Sequence, residues 1–174
     1  MNFQQLKKMN QDVIYEVYTN MESSEFFYVG YIQKVFNEFI VLESYSECGT
    51  FDGFRIIDAA RIFKMQAGTQ YLERYRNLPR VSEQLPQFED GKDILLKFIE
   101  WGKTQNKLVE FIMAWDEKII GTVVSIDEGI LAIDSILDTN FKPDGRCFFE
   151  YEDIIEVGLD TNYLKLSTGD ITWI

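Results

Sequence analysis

Histidine is missing from this chain of 174 residues. Its absence removes the usual general base, the commonest metal ligand and the side chain that changes charge near neutral pH. Cysteine is scarce: Cys48 and Cys147 are the only two, and neither belongs to a CxxC pair. A disulfide framework or a zinc site needs more sulfur or imidazole than this, so two reduced thiols in a cytosolic protein are expected. No GxSxG, HExxH, P-loop or dinucleotide fingerprint occurs. Nucleophilic catalysis by serine or cysteine needs a base that the chain does not supply. No run approaches the ~20 apolar residues of a membrane span. The N-terminal MNFQQLKKMNQD lacks the apolar core of a secretion signal. These absences predict a soluble, cytoplasmic, non-enzymatic protein with no cofactor, no bound metal and no membrane association.

Positive charge is also in short supply. Against 29 Asp and Glu stand 17 Lys and Arg, a formal net charge of −12. Residues 1–90 carry 9 basic and 13 acidic side chains, a balance of −4; residues 91–174 carry 8 and 16, a balance of −8. Such a field repels phosphate backbones and makes a nucleic-acid partner unlikely on electrostatic grounds. Arg74, Arg76 and Arg80 are the densest basic group, and they read as a solvated helix end.

What the chain does have is a duplicated pattern. Gly30–Ser44 (GYIQKVFNEFIVLES) aligns without a gap to Gly121–Ser135 (GTVVSIDEGILAIDS), at a spacing of 91. After one inserted residue the match resumes at Asp52-Gly53 and Asp144-Gly145, and runs through Ile62/Ile154 to Tyr71-Leu72/Tyr163-Leu164. A repeat of this length predicts two domains of one design. The boundaries fall at 1–80 and 91–174, with Pro79 to Asp90 supplying a linker over 81–90. Apolar residues make up 46% of the chain, so each half can build a core, although a small one.

Each half begins with a helical period: Phe3, Leu6 and Met9 in the first; Ile94, Leu95, Phe98 and Trp101 in the second. Asp90 is a candidate cap for the second helix, Asp93 sits in its first turn and Gly102 reads as its stop. Five short strands follow in each half. The first spans 13–18 and 108–114, and the second 25–36 and 118–126. Turns at Asn37-Glu38 and Asp127-Glu128-Gly129 lead into the third, which alternates Ile40, Leu42, Ser44 and Leu131, Ile133, Ser135. Asp52-Gly53 and Asp144-Gly145 read as turns before a fourth strand at 54–57 and 146–149. The short junctions Asp58-Ala59-Ala60 and Glu150-Tyr151-Glu152 suit one helical turn before a fifth strand at 61–65 and 153–157. YLERYRNL after it reads as a short helix. Five strands bent round one core close most simply as a small barrel. Gly30 and Gly121 then supply the bend inside the long second strand.

This pattern resembles the Sm/LSm-like fold, an SH3-like small β-barrel with an N-terminal helix and five bent strands. Gly30-Tyr31-Ile32 and Gly121-Thr122-Val123 are similar to the family's glycine-containing second strand, and Asp127 to its turn acid. The likeness spans nearly all of each half. It implies a mainly β protein of two tandem five-stranded barrels, each preceded by a short helix, and edge-to-edge assembly. The residues with which family members bind RNA are not matched. Phe39-Ile40-Val41 and Ile130-Leu131-Ala132 follow the turns with no asparagine, and the junction after the fourth strand carries Asp58, Glu150, Glu152 and Asp153 instead of cations.

The aromatic residues Phe26, Phe27, Tyr28, Tyr31, Trp101, Phe111 and Trp115 have mostly acidic or apolar neighbours and read as packing. The function expected is protein interaction or assembly, through open sheet edges and an acidic surface at Asp58, Glu150, Glu152 and Asp153, with a homo-oligomer among the possible outcomes. Two alternatives stay open. One is divergent RNA binding. The other is acidic mimicry of a nucleic acid that blocks a DNA-binding protein.

Overall fold

A computed structural model describes residues 3–21, 25–36, 38–78, 80, 85 and 94–168. The protein is mainly β: ten strands, all paired antiparallel, with three short α-helices among the described residues. The chain divides into two compact units, Met1–Gln87 and Phe88–Ile174. Apart from Leu85, the expected linker at 81–90 lies outside the described residues, as do Asn37, Asp90 and Asp93.

Unit one opens with a single helical turn, α1 (Phe3–Leu6), whose Leu6 is fully buried. Its strands are β1 (Ile14–Tyr18), β2 (Tyr28–Val35), β3 (Phe39–Tyr45), β4 (Phe51–Asp58) and β5 (Lys64–Gln66), in the order β5-β1-β2-β3-β4. Side chains alternate across these strands, so each face gathers its own cluster. One face holds Val17, Ile32, Ile40, Leu42, Ile57 and Ile62 together with Leu6. The other holds Val29, Tyr31 and Tyr45, covered by Leu72 and Tyr75 from a 3-10 segment, Tyr71–Tyr75. The helix expected over YLERYRNL is this shorter segment.

Unit two opens with α2 (Ile94–Thr104), which buries Ile94, Leu95, Phe98 and Ile99 at helical spacing and packs on the second strand of the unit, Lys118–Asp127. Its strands are β6 (Leu108–Met113), β7 (Lys118–Asp127), β8 (Ile130–Ile136), β9 (Pro143–Glu150) and β10 (Ile154–Leu159), in the order β10-β6-β7-β8-β9. The unit ends in α3 (Asn162–Thr168). Counted within each unit, the order is the same: fifth, first, second, third, fourth. Thr69 and Thr161 stand at matching places after the fifth strand, and each side chain accepts from a backbone N–H three residues on, at 3.3 Å in both.

Three local readings change. Gly102 lies inside α2, not at its end; a Cβ there would stand 3.0 Å from Leu159 and 3.1 Å from Val109, so its smallness serves close packing. The helix stops at Asn106, whose φ is 51°, with the Lys107 N–H returning to the Gly102 carbonyl at 3.0 Å. Asp52-Gly53 and Asp144-Gly145 lie within β4 and β9, where the positive φ of each glycine (78° and 86°) accompanies a register shift against the preceding strand. The junctions between fourth and fifth strands are 3-10 turns, Ala59–Arg61 and Tyr151–Asp153, so Arg61 and Asp153 belong to turns and the strands begin later.

Candidate interaction surface

The acidic side chains expected to form a surface sit at the two 3-10 turns. Asp58 ends β4 and caps the turn after it, its Oδ1 accepting the Ala60 N–H at 2.7 Å. Part of its charge is therefore committed to local structure. Glu150 occupies the matching place at the end of β9 but makes no side-chain cap, and it is exposed. Glu152 is exposed beside it and Asp153 is half-buried, so these three share one turn, while Asp58 belongs to unit one. Among the described residues, no group of three or more potential ligands is arranged to hold a metal ion.

Gly30 and Gly121 stand in β2 and β7, opposite Ser44 and Ser135. A Cβ at either position would lie 2.3 Å from a backbone oxygen of the adjacent strand, that of Glu43 or Asp134. No side chain fits there. In both units the register shifts two to four residues further on, between Ile32 and Lys34 and between Val123 and Ser125. Close strand approach thus requires glycine, and a bulge follows it.

The residues that sequence reasoning passed over lie on the third strands. Glu43 on β3 is completely buried. It accepts from the Gln33 amide and the Tyr45 hydroxyl, and the Arg80 Nε stands 3.3 Å from its Oε2. Burial and the Glu43 carboxylate raise the Tyr45 hydroxyl well above its ordinary range. Arg80 also lies over the Tyr31 ring at 4.1 Å and donates to the Gln11 carbonyl at 3.1 Å. Its place after the 3-10 segment means that one cation fastens the end of unit one's covering segment to a buried acid. The sequence signal was modest: a glutamate between Leu42 and Ser44, with an arginine far along the chain.

The sequence alignment pairs Glu43 with Asp134, and here the units part. Asp134 is exposed on β8 and is held by Arg146, directly across on β9, through two hydrogen bonds of 2.8 and 3.2 Å. The guanidinium lowers the Asp134 carboxyl from its ordinary value. On the fourth strands, Phe54 and Ile56 are 1% and 0% exposed, whereas their counterparts are Arg146, which is exposed, and Phe148, which is 65% exposed. Ile130, beside Glu150 in the β8–β9 register, is exposed as well.

The basic group at 74–80 is not a patch. Arg74 lies over Tyr71 at 4.1 Å, Arg76 pairs with Glu73 at 2.7 Å and Arg80 is engaged as above. Among the aromatic residues, Tyr31 and Phe111 are buried, while Phe26 and Trp115 are exposed. Among the described residues no helix is long and apolar enough to cross a membrane. No protein-family model, curated protein or solved structure matches this chain.

Proposed function

We propose that the protein is a non-enzymatic interaction or assembly module made of two Sm-like five-stranded barrels, which binds a protein partner through sheet edges and an acidic surface. The observation that carries this reading is β9. It ends its sheet order, six of its eight residues face solvent, Phe148 among them, and the acidic Glu150 closes it, with Glu152 and Asp153 just beyond. An exposed terminal strand offers backbone donors and acceptors for strand addition, and the acids beside it favour a basic or neutral partner. The shared order of strands, with a helix ahead of the first, supports the family likeness. The lack of histidine and of a metal-binding cluster among the described residues offers no support for a catalytic role.

The test is affinity capture from the source cell with mass spectrometry, comparing the natural chain with a Glu150→Gln, Glu152→Gln, Asp153→Asn variant. A protein retained by the first and lost from the second is the expected result. Recovery of RNA in place of protein, with tight and salt-sensitive binding of oligoribonucleotides on a filter, would reverse the reading.

A further inference from the structure

We infer that residues 69–78 together with Arg80 form a hinged strap over the sheet of unit one, which opens as a unit while the strands stay folded, and that the contact of Arg80 with Glu43 is its latch. While latched, the strap is an autoinhibitory contact: it occupies the sheet face that holds Val29, Tyr31 and Tyr45. It belongs to unit one and owes nothing to the edge at β9.

The strap leaves β5 through Ala67 and Gly68, both exposed. Gly68 has a φ of 66° and open space where a Cβ would stand, so nothing packed around it resists a turn of the chain. Thr69 fixes the near end. Its hydroxyl donates to the Glu16 carboxylate on β1, and its Oγ1 accepts the Leu72 N–H at 3.3 Å. Leu72 and Tyr75 are then 4% and 0% exposed against the sheet, and Leu78 packs beside them. At the far end the Arg80 Nε stands 3.3 Å from the Glu43 Oε2, and the guanidinium lies over the Tyr31 ring at 4.1 Å. The Arg80 side chain is still 37% exposed, so the latch is within reach of water.

The backbone hydrogen bonds of the strap run within it: Leu72 N–H to Thr69, Arg76 N–H to Glu73 and Leu78 N–H to Tyr75. Among the described residues no backbone hydrogen bond joins it to a strand, so side chains alone hold it down. Two features separate its opening from unfolding. The larger apolar cluster of unit one, with Val17, Ile32, Ile40, Leu42 and Ile57, takes no side chain from the strap. The face beneath the strap is also partly acidic, with Glu16 and Glu43 3% and 0% exposed. A carboxylate held away from water bears a desolvation cost. Opening hydrates both acids, which offsets part of the burial lost at Leu72 and Tyr75. A segment held by few side chains, with no ladder to the sheet, belongs to the low-stability end of a fold.

The test is hydrogen exchange on the full chain at neutral pH, in urea kept below the unfolding transition, read by mass spectrometry over residues 69–78 and over β2 and β3. Strap amides should exchange about tenfold or more faster than those of the two strands, with a much weaker dependence on urea, because local opening exposes less surface than unfolding. Arg80→Gln should speed exchange in the strap by about tenfold and leave β2 and β3 unchanged. Arg80→Lys, which keeps the charge and loses the flat stack on Tyr31, should fall between. If Arg80→Gln unfolds the chain, the urea dependence of the natural chain still decides. A strap that shares the rate and urea dependence of the strands would overturn the inference. So would a strap that already exchanges at the rate of an unfolded chain, or equal acceleration of strap and strands in Arg80→Gln.

Discussion

Phe54 and Ile56 on β4, and Arg146 and Phe148 on β9, hold corresponding places in two units with the same strand order. The first pair is sealed from water and the second faces it. The third strands repeat the contrast. Glu43 is buried within a set of donors, and Asp134 is exposed with one arginine. One framework has thus been put to two uses. In unit one this face is part of the packing that holds the fold together. In unit two it is solvent-facing surface, whose side chains are open to selection for contact.

The largest effects should come from the positions at which the two units agree. Gly30→Ala and Gly121→Ala each force a Cβ against a backbone oxygen that cannot move without its strand. Each should cost about 3 kcal/mol or more by chemical denaturation, at the upper end of overpacking effects. A marked difference between the two would break the equivalence. Next, Ile56→Ala should cost about 2–5 kcal/mol, as buried truncations do, while Phe148→Ala should stay within about 0.5 kcal/mol. A large loss from Phe148→Ala would mean that β9 is core after all.

Glu43→Ala should cost about 2–3 kcal/mol, because it strips an acceptor from a buried hydroxyl, a half-buried amide and Arg80. Asp134→Ala should fall within the small range of exposed ion pairs. The alkaline limb gives a smaller signal that belongs to unit one. Burial, with help from the Glu16 carboxylate, raises the Tyr18 hydroxyl from its ordinary 10.0 to about 12. Tyr45 and Tyr75 are raised in the same direction, chiefly by burial. A raised folded value means that the stability these hydroxyls contribute is complete below pH 10 and drains away as pH rises through 12. Denaturation midpoints should hold up to about pH 10 and fall beyond it, with less of a fall in the Tyr18→Phe variant. A flat profile above pH 10 would contradict the assignment.

Much of the strand plan was readable from the chain, because alternation and turn residues are local properties. Ile40, Leu42, Leu131 and Ile133 declare their strands by spacing alone, and the short acidic junctions declare turns. The misreadings had physical causes. Gly102 looks like a helix stop, yet its role comes from Val109 and Leu159, which no neighbour in sequence reveals. Gly53 and Gly145 look like turns because positive φ is shared by turns and bulges. Nothing local marks Glu43 as buried, and one of its partners, Arg80, lies 37 positions away. Ile56 and Phe148 are both apolar residues in the same pattern. A period of two says which residues share a face, and nothing about whether that face is covered.

The claim that β4 is core and β9 is free surface is tested most directly by hydrogen exchange on the intact, unmutated chain, read by mass spectrometry over the peptides containing each strand. The account predicts slow exchange across Phe51–Asp58, at the level of the best-protected strands, and markedly faster exchange across Pro143–Glu150. Equal protection of the two would contradict it.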